Sequence, residues 1–393
     1  MQPIAEASSG SDGLTCRLLT DPSGFEQLKP WWDRLLEATV EHTPWQSSDY
    51  LTHWWRHMSR GKALRLFVVE RGGAPCLILP LQVSTRFQML GLPVRMLEPI
   101  GMIMHVNRPR LAIGPADPAA YQCALQRIWS ERRDWHLIRI DEKPLDDPEV
   151  ALLRSFAREH GLLYRDIFSH VCPYLDLRRP WSGYLLSRGS KLRKNLRAAR
   201  RRLELMGKVT VRSFESPAEV EEACDIVQHL HRRSWKRWRR IEHSHSEGYQ
   251  HFLRGWLDSM ASRGRTRVLV MFCADRPVAA TIAIMDAATY YAAQIVHDDA
   301  YSRCSPGTLL ESIELEELMT KQQFATYDFL GAFLNNKLRW TQSVRPTALI
   351  FIMQRCWRNL VIDAYYFHAK PRVKQLLRRF LPRGAPPNPI HTS

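Results

Sequence analysis

At 393 residues the chain is longer than one ordinary hydrophobic core requires, so two domains are expected. Its 45% hydrophobic content and 13 tryptophans exclude a disordered chain, and no apolar run approaches the roughly 20 residues that cross a bilayer. The net charge of +16 predicts an anionic partner, which could be a nucleic acid, a nucleotide cofactor or an anionic membrane surface.

The eight cysteines stand singly along the chain, without a C-x-x-C pair or a cluster of histidine and cysteine ligands. Such spacing argues for a reducing compartment and against a structural zinc site, so we expect a cytoplasmic protein without a bound metal. Residues 1–13 lack the basic head and apolar core of a secretory signal, and we expect them to form a disordered tail.

Helices and strands alternate through the first half of the chain. The predicted elements are a helix at 24–38, a helix at 49–58, two strands within 63–83, a helix at 117–133, a strand at 135–141, a helix at 148–160 and a strand at 162–168. Gly72 and Gly73 between the first two strands are a strong hairpin signal. The pattern is typical of an α/β or α+β domain with a mixed sheet.

The second half centres on a βαβ unit. Before it come a long helix at 181–206, a strand at 208–214, a helix at 217–233, and a helix with a hairpin at 246–286. The unit itself is a strand at 289–296, a turn-rich link, a helix at 308–323 and a strand at 325–331. A short glycine-containing loop enters this helix, where unpaired backbone N–H groups can hold a phosphate or an oxyanion.

An internal duplication is predicted from two segments that follow one plan. Residues 47–81 and 246–286 both read as an aromatic helix, a Ser-Arg-Gly turn, an apolar strand, a turn ending in proline and a second apolar strand. Convergence on a common helix–hairpin unit is the alternative. We therefore expect an α/β (α+β) protein with mixed central sheets flanked by helices, divided into domains at 14–175 and 176–393.

Four segments of the second half carry a resemblance to a known family. They are S-K-L-R-K-N-L-R at 190–197, L-H-x-x-S-W-K at 230–236, D-x-x-Y-x-x-x-S-P-G-x-x-L at 298–310, and Y-D-F-L-G followed by N-K-x-x-W at 327–340. Together they resemble the CelD/FemAB-like acetyltransferases of the GNAT superfamily, whose domain is also described as BioF2-like. The resemblance implies tandem GNAT-like domains, with the reaction centre in the second.

The same resemblance implies a reaction. An acyl group, usually acetyl, would pass from acyl-CoA to an amine or hydroxyl, with polysaccharide or cell-envelope precursors among the expected acceptors. Two alternatives stay open. Fem-type relatives use an aminoacyl-tRNA donor, which fits the basic composition, and a chain of this fold could also be a non-catalytic RNA-binding protein.

A carrier such as CoA needs a phosphate grip, and Ser305, Gly307 and Thr308 suit it. Ser305 can cap the helix, Pro306 fits its first turn, and Gly307 lets a phosphate approach the backbone. The alternative is an ordinary capped helix start, because Ser-Pro caps are common.

Three residues are candidates for catalysis. Asp328 lies in a strand beside the helix entrance, where a carboxylate could act as a base or orient an amine; alternatively it is a structural partner of Lys337 or Arg339. Lys337 could pair with a carrier phosphate or lie in solvent. His297 follows the central strand at a position suited to a base, although a lone histidine in a turn is more often a bystander.

Five residues are assigned to substrate binding: Arg193, Trp235, Tyr291, Gln294 and Trp340. Arg193 belongs to a basic run at 187–202 and Trp235 to a second run at 229–245, and basic residues with aromatics can bind phosphate and stack on bases. The alternative for the first run is a solvated helix face. A basic amphipathic helix at 356–380, interrupted at Pro371, is expected to pack on the second domain or touch an anionic membrane surface.

Overall fold

The computed structural model describes residues 13–39, 42–102, 111–234, 246–286, 288–331 and 334–373. Residues 1–12 of the predicted tail and Trp235 lie outside these ranges. Within the described part of the chain, no helix is long and apolar enough to cross a membrane.

The N-terminal half, defined here as β1 to β6, contains six strands and four helices among the described residues. They are β1 Leu14–Leu19, α1 Ser23–Glu37, α2 Ser48–Met58, β2 Lys62–Arg71, β3 Ala74–Met89, β4 Leu92–Pro99, α3 Pro118–Ser130, β5 Leu137–Pro144, α4 Glu149–Glu159 and β6 Leu163–Asp176. The predicted hairpin forms between β2 and β3, and both Gly72 and Gly73 adopt the positive φ that such a turn requires. Strands β1 and β4 were not predicted.

The described chain from α5 to β12 forms the C-terminal half, and one final helix follows it. Its elements are α5 Trp181–Ser187, α6 Ser190–Glu204, β7 Val209–Phe214, α7 Pro217–Arg233, α8 Glu247–Ala261, β8 Thr266–Cys273, β9 Arg276–Asp286, β10 Thr289–His297, α9 Pro306–Lys321, β11 Thr326–Asp328, α10 Leu334–Lys337, β12 Val344–Met353 and α11 Trp357–Asp363. Strand β12 was not predicted.

Two predicted elements differ from the structure. The single helix expected at 181–206 is broken into α5 and α6, because Arg188 and Gly189 are extended. The strand expected at 325–331 has only three residues, since the chain leaves the sheet after Asp328 and Leu330 turns back with a φ of 57°. The chain downstream of this turn is thereby directed toward α9.

All twelve strands form one mixed sheet, in the order β1-β2-β3-β4-β5-β12-β6-β11-β10-β9-β8-β7. Each strand of the N-terminal half has a counterpart numbered six higher in the C-terminal half, so that β1 corresponds to β7 and β6 to β12. When every strand is replaced by its counterpart and the order is read from the other end of the sheet, the same order results. The sixth strands are swapped: β12 pairs with β5, and β6 pairs with β11. The α/β class with mixed sheets is confirmed, whereas the domain boundary at 175 stays a prediction.

The strand order also makes the two helix–hairpin segments equivalent. Helix α2 precedes β2 and β3 as α8 precedes β8 and β9, and the two helices pack against each other. Tyr50 of α2 meets Trp256 of α8 edge to face, with ring centroids 4.9 Å apart. A single aromatic-rich core between the halves therefore holds them together.

Candidate active site

The sheet opens between β10 and β11. These strands pair in parallel at three positions only, from Thr289 opposite Thr326 to Tyr291 opposite Asp328. Strand β10 then continues to His297, with an irregularity against β9 at 292–294, whereas β11 ends. Ligands of α/β sheets bind beyond the carboxyl ends of strands, and α9 begins at this same edge.

The first turn of α9 presents backbone donors. Ser305 occupies the N-cap position in a left-handed conformation, and among the described residues its side chain accepts no hydrogen bond from the helix. Pro306 has no N–H, so Gly307 and Thr308 supply the N–H groups that the first turn leaves without intrahelical carbonyl partners. A Cβ on Gly307 would make ordinary van der Waals contacts with Ile295 at 3.4 Å and His297 at 3.7 Å, so the start of α9 lies directly beside β10.

Arg339 adds a positive charge to this helix start. Its Nη1 donates to the Thr308 Oγ1 at 3.0 Å, and its Nη2 donates to the Asn336 Oδ1 at 2.7 Å. The sequence interpretation treated Arg339 only as a partner for Asp328. Its place in the N-K-x-x-W motif was the signal that could have identified it.

Asp328 and Lys337 hold the same loop, residues 329–331. The Asp328 carboxylate is buried and accepts from the Leu330 N–H at 2.8 Å and from Arg345 Nη1 at 3.1 Å. Lys337 Nζ donates to the backbone carbonyls at both ends of the loop. The structure thus brings these two predicted residues together, in contacts that shape the loop between β11 and α10.

Glu311, which the sequence interpretation missed, lies one helical turn beyond Thr308. Burial raises the pKa of its carboxyl to about 7; a hydrogen bond from the Trp340 indole opposes this, and the nearby charges of Lys337 and Arg339 also lower the pKa. Trp340 itself is 0% exposed and donates its indole N–H to Glu311, and its assignment to substrate binding stays a prediction. Only the fold brings Trp340 to Glu311.

A second glutamate keeps the site rigid. Glu314 is fully buried and accepts hydrogen bonds from the hydroxyls of Tyr290, Thr281 and Tyr327, at 2.6, 3.0 and 2.8 Å. Burial raises the pKa of this carboxyl as well. Because the three hydroxyls come from β9, β10 and β11, this network fixes α9 over the point where the strands part.

Two predicted residues lie half-buried on the second half of β10. His297 is beside the start of α9, with its Nε2 3.9 Å from Asp299 Oδ1. Gln294 Nε2 lies 2.7 Å from His231 Nε2 on α7. Beyond His231, a cavity of about 500 Å³ opens between α7 and α8, lined by Cys224, Val227, Gln228, His231, Arg232, Tyr249, Gln250, Leu253, Arg254 and Ile282.

Two other residues assigned to substrate binding make contacts within the protein, and their assignment stays a prediction. Tyr291 is buried against Trp45, with ring centroids 5.2 Å apart, so it belongs to the core between the halves. Arg193 donates to three backbone carbonyls at the end of α5, including Leu186 O at 3.0 Å, and so closes that helix. Trp235 lies outside the described residues, and its role stays a prediction.

The equivalent site in the N-terminal half is occupied by the protein itself. Helix α3, which like α9 lies between the fourth and fifth strands of its half, begins after Asp117. The Asp117 carboxylate accepts from the N–H groups of Ala119 and Ala120 at 3.0 and 3.1 Å and pairs with Arg71 at 2.7 Å. These hydrogen bonds, led by the one from Ala120, lower the pKa of Asp117. The Asp117 carboxylate thus binds the backbone N–H groups at the start of α3, whereas no described side chain binds the corresponding groups at the start of α9.

Comparison with known proteins agrees with this geometry. Residues 190–337 match the family model described as an acetyltransferase (GNAT) domain. Residues 190–337 are therefore similar to a GNAT acetyltransferase domain, which agrees with the resemblance predicted from the motifs for this part of the chain. No protein of curated function matched the sequence.

Two solved structures are similar over most of the chain. The crystal structure of FemX has a TM-score of 0.55 at 10% identity, over 86% of this chain and 98% of that one. The structure of L-PGS from Bacillus licheniformis has a TM-score of 0.50 at 14% identity, over 92% of this chain and 97% of that one. At these identities the similarity concerns the fold alone.

Proposed function

We propose that the C-terminal half transfers an acyl group from acyl-CoA, with acetyl-CoA as the simplest donor, to an amine or hydroxyl. The observation that carries this proposal is the difference between the two equivalent helix starts. Asp117 occupies the backbone donors of α3, whereas Ser305 leaves those of α9 without a side-chain cap in the described structure. Of these two equivalent helix starts, α9 is the one that no described side chain caps, so its N-terminus is offered to an external anion.

The donor would bind at the start of α9. The N–H groups of Gly307 and Thr308, the positive end of the helix dipole and the Arg339 guanidinium converge there, and together they suit the pyrophosphate of CoA. The acyl thioester would then extend along β10 into the opening beside β11. Lys337 would act by holding the wall of this opening rather than by touching phosphate.

Glu311 is the strongest candidate for the general base. A carboxyl with a pKa of about 7 can accept a proton from the attacking amine or hydroxyl near neutral pH. The acceptor atom then bonds to the thioester carbonyl carbon, the C–S bond breaks, and CoA leaves as a thiolate that takes up a proton. His297 is the second candidate, because its ring lies beside the same helix start.

The cavity between α7 and α8 would hold the acceptor. Gln228, Gln250 and His231 provide hydrogen-bonding groups that suit hydroxyls or amides of a sugar-containing molecule, and Arg232 and Arg254 add positive charge to the lining. His231 connects the cavity to Gln294 on β10. We place the reaction in the cytoplasm, with polysaccharide or cell-envelope precursors as the acceptor class.

One observation favours a second candidate, an aminoacyl-tRNA donor. Helix α6 packs on α9, and its exposed side carries Lys191, Lys194, Arg197 and Arg201. At its end, Arg202 donates to the carbonyl of Arg303, three residues before α9 begins. A polyanion lying along α6 would therefore be directed toward the donor site.

Thermal shift with acetyl-CoA, a long-chain acyl-CoA and charged tRNA separates these donors. A ligand at about 100 times its Kd adds roughly 2.7 kcal/mol of stability. We expect acyl-CoA to raise the Tm of the wild type, and Arg339→Gln to reduce that shift strongly. Arg71→Gln is the matched control at the occupied helix start and should keep it.

A different ligand response would contradict the acyl-CoA proposal. A shift with charged tRNA but with no CoA ester would favour the aminoacyl-tRNA donor. Affinity for uncharged RNA without any acyl transfer would instead favour a non-catalytic RNA-binding protein.

A further inference from the structure

The final described helix carries an apolar surface that the rest of the described chain leaves uncovered. Helix α11 continues as a π-helical turn, Ala364–Ala369, and then to residue 373. The wider turn lies just before Pro371, which cannot donate the N–H that a regular α-helix needs there. The result is one continuous helical rod of 17 residues, about 25 Å long.

One side of this rod is anchored in the protein. Ile362 is buried, and Tyr366 and Phe367 pack with it on a cluster that includes Met353. Asp363 pairs with Arg165 on β6 at 2.8 Å. These contacts fix the orientation of the rod, and they therefore also determine which side chains lie on its opposite side.

The opposite side is apolar and exposed. We define the α11 stripe as Trp357, Leu360, Val361, Tyr365 and Val373, whose exposed fractions lie between 42 and 59%. The first four recur at the three- and four-residue spacing of one helix face. Large apolar side chains grouped in this way on a soluble domain mark a contact surface rather than chance exposure.

Basic residues flank the α11 stripe. Residues 355–373 contain four of them, Arg355, Arg358, Lys370 and Arg372, against one acid, Asp363, which is already paired. The Arg358 guanidinium lies 5.0 Å from the centre of the Trp357 ring. The sequence after Val373 adds four basic residues and no acid.

We propose that the α11 stripe docks on an anionic lipid bilayer surface. An interfacial helix places tryptophan, tyrosine and leucine at the boundary between headgroups and acyl chains, while lysine and arginine meet the anionic headgroups. Charge complementarity selects this occupant, because residues 355–373 contain four basic residues and one acid, which is paired with Arg165. The helix lies in the plane of the interface and does not span the bilayer.

Co-sedimentation with vesicles tests this proposal on the full chain. We expect binding to vesicles of equal parts phosphatidylglycerol and phosphatidylcholine, weak binding to phosphatidylcholine alone, and loss of binding as salt is raised. The double variant Trp357→Ser/Leu360→Ser should weaken partitioning at least tenfold. Trp31→Ser is the matched control, since Trp31 is 37% exposed on α1 with Arg34 near its ring, and it should bind like the wild type.

A second variant that removes only charge keeps the test decisive even if the Trp357→Ser/Leu360→Ser variant does not fold. Arg358→Gln/Lys370→Gln/Arg372→Gln keeps the apolar side chains and should lower partitioning about a hundredfold at low salt, at about fivefold for each basic residue. Equal binding to neutral and anionic vesicles, or to neither, overturns the proposal. So does a concentration-dependent dimer that the Trp357→Ser/Leu360→Ser variant abolishes without vesicles, because a second copy would then cover the stripe.

Discussion

Replacing Glu311 by glutamine tests the assignment of the general base. With a pKa of about 7, roughly one tenth of the carboxyls are ionised at pH 6 and nine tenths at pH 8. Because the ionised form accepts the proton, kcat/KM should rise about tenfold across this range and then level off. Glu311→Gln should lower kcat/KM by about a hundredfold and remove this pH dependence.

Release of free CoA thiol, followed with a fixed acceptor from pH 5.5 to 9, measures both effects. Glu316→Gln is the matched control, since Glu316 is an exposed glutamate on the same helix. Trp340→Phe removes the indole N–H that lowers the pKa of Glu311, so its profile should move to higher pH. A Glu311→Gln enzyme that keeps the wild-type rate and slope would refute the reasoning.

Three further predictions concern charged contacts. Asp286 in the C-terminal half raises the pKa of His42 in the N-terminal half. The ion pair should therefore stabilise the fold fully below about pH 6.5, and this stabilisation should be lost as the pH rises through the raised pKa. His42→Gln should accordingly lower the Tm only at low pH. Asp117→Ala should cost about 1 kcal/mol in denaturant unfolding, because α3 loses its cap; an unchanged midpoint would show that the cap is dispensable. Asp328→Asn should lower the free energy of unfolding by about 1–2 kcal/mol, because it removes the ion pair with Arg345. A tenfold loss of turnover at unchanged stability would instead indicate that Asp328 has a catalytic role.

The palindromic strand order makes the two halves structurally equivalent. Both build a parallel strand pair with a helix between, at β4–β5 and at β10–β11. Their shared core and swapped sixth strands make the halves a single scaffold. The Asp117 carboxylate caps the helix start of one half, whereas no described side chain caps the equivalent start of α9.

Local signals in the sequence determined many of the elements. Helix α7 was predicted with its observed bounds, because Ser216 and Glu219 form a capping box and Pro217 begins the first turn. The hairpin at Gly72 and Gly73 was equally local. The four motifs also predicted the similarity to GNAT acetyltransferases, since all of them except residues 338–340 lie in the segment that matches the GNAT acetyltransferase domain.

Tertiary structure decided what the individual side chains do. Trp340 lies in the core and donates a hydrogen bond to Glu311. In the sequence Glu311 is one of several acids on a predicted helix, and no local pattern distinguishes it from the others. Tyr291 and Arg193 found partners far along the chain or on a neighbouring helix that no local pattern reports. The pKa of a carboxyl depends on burial and on charges brought close by folding, so only the packed structure could distinguish Glu311 from its neighbours on α9.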